Sequence, residues 1–410
     1  MARPAVEAWT LSDAWTLSRR GLLAAAATSL LAACGRDDEG GPGPRGPGST
    51  ELVVGASLEL TGAGQALGVL QERALRITAD KFNEQGVPVG NLRRTIRLVV
   101  RDNASEPRLA AQHATELATR ENVHALIGGC LAETSLAIIP IAQQQQVPFI
   151  SFASADNLTV PLAQRTYIFK LTPDSRDVAR TLAPLIRSQG FERVGLLVAT
   201  GGHGDSGLRA VTAALKAVDV ELVRSARLPR AENADFRPAA RRVADAEPEA
   251  VIIWGTAPFS GTAARALRRI GYEGRLFFDS GAVAEDTLSE TNAPAVEGAY
   301  VVHPSSLGSS SLTNTTTAGL DRRDFIYRYI HLHGSFSGFA PYASDALRLV
   351  VNAARLGKSV DRGRLRAYLG NQITDGIAGA YSFAPIRHGG MEPDSLGVFT
   401  VISGAWSRVS

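Results

Sequence analysis

From Glu51 onward, short apolar runs alternate with stretches in which apolar residues recur every three or four positions. The runs predict strands and the longer period predicts amphipathic helices; their alternation is the mark of parallel βαβ units. Leu52–Leu58, Ile96–Arg101, Ala125–Ile127 and Val147–Phe152 read as strands, separated by helices over Gln71–Asn83, Pro107–Thr119 and Thr134–Gln144. Glu106-Pro107 opens the second helix, since proline is pre-set for the first helical position. The pattern then restarts, with helices over Asp177–Gln189, Gly207–Ala217, Phe236–Ala244 and Thr262–Ile270. Between them lie strands over Arg193–Val198, Glu221–Ala226, Ala250–Trp254 and Arg275–Phe278. Two successive runs of similar αβ units predict two lobes. Ser305–Gly319 has no periodicity and reads as a long exposed loop, before helices over Phe325–His333, Tyr342–Leu356 and Arg362–Leu369.

Upstream of Glu51 the pattern breaks. Ser18-Arg19-Arg20-Gly21-Leu22-Leu23 precedes an Ala/Leu run that ends in Leu31-Ala32-Ala33-Cys34. Paired arginines, a short apolar run and small residues before a cut site make a secretory signal. Arg19 and Arg20 stand as in a twin-arginine export signal, and Leu-Ala-Ala-Cys resembles the lipobox of bacterial lipoproteins. Residues 1–33 are therefore expected to be an export signal, with Cys34 lipidated. Acyl chains on Cys34 would anchor the protein at about 0.8 kcal/mol per buried methylene. Residues 34–50 are Gly, Pro and charge without an apolar face, a flexible tether. With Cys34 acylated, Cys130 is the one remaining thiol, so no intramolecular disulfide is expected; it reads as a small buried hydrophobe.

Composition narrows the function. A length of 410 residues suits two α/β lobes. The formal charge is +3, and 43 basic residues, only four of them lysines, are scattered among acids. Nucleic-acid binding needs a clustered basic face, so it is not expected. No run reaches the roughly 20 apolar residues of a membrane span.

Several motifs occur in a telling order. Leu60-Thr61-Gly62-Ala63-Gly64 follows the first strand, and Asp102-Asn103-Ala104-Ser105-Glu106-Pro107 follows the second. Ile127-Gly128-Gly129, Pro140-Ile141-Ala142 and Val147-Pro148-Phe149-Ile150-Ser151 come next, then Tyr167-Ile168-Phe169-Lys170, Asp235-Phe236 and Tyr342-Ala343-Ser344-Asp345-Ala346. The series closes on Gly376-Ile377-Ala378-Gly379-Ala380-Tyr381-Ser382-Phe383. From Glu51 to Val409 the chain resembles the branched-chain amino-acid (Leu/Ile/Val) binding proteins of ABC importers. The resemblance implies a type I periplasmic-binding fold: two doubly wound parallel-sheet lobes joined by three crossovers, with a ligand cleft between them that closes by hinge motion. Residues 51–171 and 302–388 would form lobe 1, residues 172–301 and the tail 389–410 lobe 2.

Open α/β sheets bind ligands outside the carboxyl ends of their strands, so the resemblance points to loops. For a ligand carboxylate these are Leu131 and Ala132 through their backbone amides, with Thr134 or Ser135 either contacting ligand or capping the helix. Ser154 and Ala155 follow from the fourth strand. Lobe 2 would add His203 or Gly204, Thr256, and Asp279 or Ser280, with Asp279 pairing a ligand ammonium or else binding its own turn. Ala132 stands near the family's ligand-binding serine, and Leu67 where relatives carry an aromatic. The ligand is accordingly an amino acid, an amide or a small carboxylate.

Enzyme motifs fail on inspection. Gly62-x-Gly64-x-x-x-Gly68 places its last glycine one position late for a dinucleotide site. Gly204-Asp205-Ser206-Gly207 lacks a His and an Asp in matching order. His331 and His333 lie two apart on a helix and point in different directions. No enzyme activity, cofactor or metal is expected. The partners expected are a small-molecule ligand, an ABC permease and, through the lipid, the membrane, with the protein a monomer on the extracytoplasmic side. The rival roles are ligand sensing through a membrane sensor, and a surface lipoprotein without transport.

Overall fold

The structure is a computed structural model that describes residues 50–409 except 232 and 308–314. Arg19, Arg20, Cys34, the tether up to residue 49 and part of the expected Ser305–Gly319 loop lie outside the described residues.

The first sheet is built from β1 (Glu51–Leu58), β2 (Val87–Val89), β3 (Leu92–Asp102), β4 (Ala125–Gly128), β5 (Phe149–Ser151) and β6 (Ile168–Lys170). Its order is β2-β3-β1-β4-β5-β6, parallel throughout except for the β2–β3 pair. Helices α1 (Gln65–Gln85), α2 (Pro107–Thr119) and α3 (Ala132–Gln144) connect these strands. Such crossovers bury both faces of the sheet, which is why β1 and β4 are near-continuous apolar runs.

The second sheet repeats the plan. Here α4 (Ser175–Ser188), α5 (Gly202–Lys216), α6 (Arg237–Ala244), α7 (Phe259–Arg269) and the short α8 (Ala293–Val296) alternate with β7 (Arg193–Val198), β8 (Glu221–Arg227), β9 (Ala250–Trp254), β10 (Arg275–Phe278) and β11 (Tyr300–Pro304). The chain then returns to the first lobe as α9 (Thr317–His333), α10 (Ala340–Gly357) and α11 (Arg362–Leu369). The hairpin β12 (Ile373–Asp375) and β13 (Ala380–Ser382) follows. It ends in β14 (Leu396–Ile402) and β15 (Ala405–Arg408), which add antiparallel to the second sheet, giving the order β15-β14-β11-β10-β9-β7-β8. The lobes are thus joined by three crossovers, after β6, after β11 and before β14. Because β11 pairs with β10 and β14, the second sheet runs to Pro304, three residues past the boundary expected at residue 301.

Helix bounds differ from the sequence reading mainly at N-termini. Helix α1 begins at Gln65 rather than Gln71 and α5 at Gly202 rather than Gly207. Gly68 in the first of these turns and Gly202 and Gly204 in the second lower helix propensity there, and Gly68 and Gly207 are packing positions. A Cβ on Gly68 would meet the Glu59 carbonyl at 2.0 Å, and one on Gly207 the Trp254 ring at 2.3 Å. The dinucleotide-like and protease-like motifs are therefore close helix–strand contacts.

Candidate functional site

The carboxyl ends of both sheets face one another across a cavity of about 350 Å³. In the first lobe, β4 runs into Gly128 (φ +130°) and Gly129 (φ +80°) before α3 starts. A Cβ on Gly128 would lie 2.2 Å from the Ser57 carbonyl and one on Gly129 2.1 Å from Ser135 Oγ, so only glycine lets the strand turn here. The turn brings Cys130, Leu131, Ala132 and Glu133 to the cavity wall, where Ser154 joins them from the loop after β5.

In the second lobe, α5 starts at Gly202 after Gly201, without a side-chain cap, and Ala199, Thr200 and His203 stand on the opposite wall. Leu228, Pro229 and Arg230 follow β8; Thr256 follows β9, and Phe259 opens α7. The lobes also touch directly. The Asp156 amide donates to Ser206 Oγ at 3.2 Å. A Cβ on Gly202 would lie 3.4 Å from that of Ala132.

Of the residues expected from the sequence, Leu131, Ala132, Ser154, His203 and Thr256 line the cavity. Ala155 does not; it is fully buried at the start of a single 3-10 turn. Asp279 is also withdrawn, with 0% of its surface exposed. Its Oδ1 accepts from the Gly255 amide at 2.8 Å, and its Oδ2 from the Gly281 amide at 3.1 Å and from His203 Nε2 at 3.0 Å. Both oxygens are spent inside the lobe, so the group that reaches the cavity is the imidazole and not the acid. Thr134 and Ser135 are neither cap nor wall. Thr134 Oγ1 donates to Glu59 Oε1 at 2.5 Å, and Ser135 Oγ donates to the Gly129 carbonyl.

His203 is 9% exposed. Burial works against its charge, but the Asp279 carboxylate and its hydrogen bond more than offset that, so the imidazole is held above its ordinary pKa of 6.5. The Ser154 carbonyl of the other lobe adds to the rise, although Nδ1 makes no hydrogen bond of regular geometry to it.

Behind the opposite wall lies Glu59, fully buried one residue past β1. Its Oε2 accepts from the Cys130 amide at 3.0 Å and from the Cys130 thiol at 2.9 Å; Oε1 accepts from Thr134 and from Asn103 Nδ2. Burial, and then the Glu59 carboxylate, push the Cys130 thiol well above its ordinary pKa. Cys130 is thus buried as expected, yet it is a hydrogen-bond donor. Glu59 could have been found in the sequence as the lone acid inside the apolar run Leu58-Glu59-Leu60. Arg230 could have been found by extending the strand-end rule to the loop after β8.

No helix among the described residues is long and apolar enough to cross a membrane. The described residues hold no group of three or more side chains able to ligate a metal.

Comparison with known proteins agrees with this architecture. The profile of the periplasmic binding protein family matches residues 51–401. The chain is 27% identical over 169 residues to a Leu/Ile/Val-binding protein homologue of Brucella abortus. That match covers 41% of this chain and 42% of the relative, so the chain spans well under half the length of the curated relative it matches. Among solved structures, the branched-chain amino-acid binding protein LivJ of Streptococcus pneumoniae, in complex with isoleucine, superimposes with a TM-score of 0.75 at 20% identity. The superposition covers 88% of this chain and 99% of that one. A solute-binding protein of an ABC transporter from Rhodopseudomonas palustris BisB5, in complex with 3,4-dihydroxybenzoic acid, gives 0.75 at 19% identity over 88% and 97%. The chain belongs to the periplasmic binding protein family.

Proposed function

We propose that this protein captures an amino acid or a related small polar solute between its lobes and delivers it to an ABC importer, while a lipid on Cys34 holds it at the membrane. The observation that carries the reading is the cavity of about 350 Å³ walled by strand-end loops of both sheets. A solute there touches both lobes at once, so binding favours the closed arrangement by its contacts with each. The lining sets apolar Leu131, Pro229 and Phe259 beside polar Ser154, Thr200, His203, Arg230 and Thr256, which suits a small polar solute with an apolar body. The relatives' ligands, isoleucine and a dihydroxybenzoic acid, fit that description. Lobe 1 would comprise residues 51–171 and 305–388, and lobe 2 residues 172–304 and the tail, acting as a monomer.

The test is a thermal melt of residues 35–410 against amino acids, amides and small carboxylates. A solute at 100 times its dissociation constant adds about 2.7 kcal/mol of stability, and its midpoint should rise clearly. Silence across the panel would reject solute capture. For the anchor, Cys34→Ala should move the expressed protein from the membrane fraction to the soluble one.

A further inference from the structure

The charged groups of the cavity differ between its two walls. An amino acid carries an ammonium that needs a carboxylate or carbonyls once water is removed. On the second-lobe wall the acid at the end of β10, Asp279, is fully buried and bonded to Gly255, Gly281 and His203. What lines the cavity from that lobe includes, as its polar and charged groups, only cationic or neutral ones: Thr200, His203, Thr256 and Arg230. Arg230 is exposed and makes no hydrogen bond or ion pair among the described residues. Its neighbour Arg227, by contrast, is spent on Asp205 and the Ala199 carbonyl.

The first-lobe wall carries two acids. Glu133 lies against the start of α5, where a Cβ on Gly201 would come within 1.9 Å of its Oε1. That helix end has no side-chain cap of its own, so its positive pole attracts the carboxylate. Glu106 lies just before α2 and is exposed, as Arg230 is. Neither is a buried acid waiting for an ammonium. A guanidinium unpaired among the described residues is suited to the opposite charge, because its planar fork matches a carboxylate in two parallel hydrogen bonds.

We propose that the cleft selects an organic acid with an apolar body and no α-ammonium, its carboxylate held by Arg230 and its body between Leu131 and Phe259. The proposal rests on the solute-capture reading above and specifies the ligand class of that same site. Asp279 then serves as a positioning residue for His203 and not as a ligand contact.

Matched pairs decide it. Calorimetric titration would compare leucine with 4-methyl-2-oxopentanoate, and phenylalanine with phenylpyruvate, with benzoate as a further probe. At least one keto acid should bind ten or more times tighter than its amino acid. Arg230→Gln should weaken that acid at least tenfold while leaving the ligand-free melting midpoint unchanged. Arg224→Gln, an exposed arginine on β8 outside the cavity, should leave the affinity as it was. An amino acid binding as well as or better than its keto partner overturns the proposal and leaves solute capture standing. So does a keto acid whose affinity survives Arg230→Gln. If no probe binds, the proposal fails, and the wider panel of melts decides solute capture.

Discussion

His203 Nε2 and Asp279 Oδ2 stand 3.0 Å apart inside the second-lobe wall, with the imidazole interposed between the acid and the cavity. Removing one partner of such a pair leaves the other buried without compensation, along with the Gly255 and Gly281 amides. Asp279→Ala should therefore cost about 3–5 kcal/mol of stability, read as a lowered urea midpoint. The pair also sets a pH dependence. The native imidazole has the higher pKa, so its stabilising contribution is complete below the unfolded value of about 6.5 and fades as pH rises through the native value. The gap in melting temperature between wild type and Asp279→Asn should be widest near pH 6 and shrink toward pH 9. A constant gap would mean that the histidine is neutral throughout.

Glu133 and Gly201 form a second relationship between the lobes. Gly201 has φ +104°, and its missing side chain leaves the space that Glu133 Oε1 approaches. Gly201→Ala meets two obstacles, the backbone conformation in either state and the Glu133 carboxylate only when the lobes meet. The conformational part should lower the melting point by the equivalent of about 1–3 kcal/mol. The contact part should appear as a loss of affinity for whichever solute the melts identify. Adding Glu133→Ala to Gly201→Ala should recover part of that affinity without recovering the melting point. Recovery of neither would place Glu133 outside the closure contact.

Much of the fold was legible because parallel strands buried on both faces are continuous apolar runs. Arg193–Val198, Ala250–Trp254 and Arg275–Phe278 have the same bounds in sequence and structure. The chain's last hairpin was not read, although Ser403-Gly404 between β14 and β15 carries the positive φ at both positions that a two-residue turn needs. Strand β6 was too short to show a period, and Ile168–Lys170 read only as a crossover. The cavity wall was half legible. The resemblance, with the strand-end rule, pointed to Leu131, Ala132, Ser154, His203 and Thr256, which line the cavity. It could not tell that Asp279 is turned inward, because that depends on His203, 76 positions away along the chain.

Glu59 is expected to be structural and to keep Cys130 inert. Its carboxylate is the shared acceptor of the Cys130 amide, the Cys130 thiol and the Thr134 hydroxyl. Glu59→Ala leaves the Cys130 amide buried without an acceptor, at about 1–3 kcal/mol, while the Thr134 hydroxyl keeps the Leu131 carbonyl and the thiol that of Gly64. The reactivity change is the more specific readout. Burial and the nearby carboxylate raise the thiol pKa, and the thiolate is the species that alkylates. Folded wild type should resist iodoacetamide at pH 8, while Glu59→Ala should be modified at Cys130 measurably faster by mass spectrometry. Equal rates in both would mean that steric burial alone protects the thiol.

Asp345 offers a test of the first lobe far from the cavity. It is fully buried on α10 and accepts from the Ile377 and Ala378 amides and the Tyr381 hydroxyl, tying α10 to the β12–β13 hairpin. Burial is the largest influence on it and outweighs these hydrogen bonds, leaving its pKa raised to about 6 from 3.8. Between those values the native protein holds more protons than the unfolded chain, so this group's contribution falls as pH rises from about 4 to about 6 and is level above that. At 1.36 kcal/mol per unit the fall is on the order of 3 kcal/mol. Asp345→Asn cannot ionise and has no such fall. The variant's stability relative to wild type should therefore improve across pH 4 to 6 and stay constant from pH 6.5 to 8, as measured by urea denaturation at each pH. A relative stability that instead worsens over that window would show that the hydrogen bonds outweigh burial and that Asp345 is a carboxylate in the folded protein.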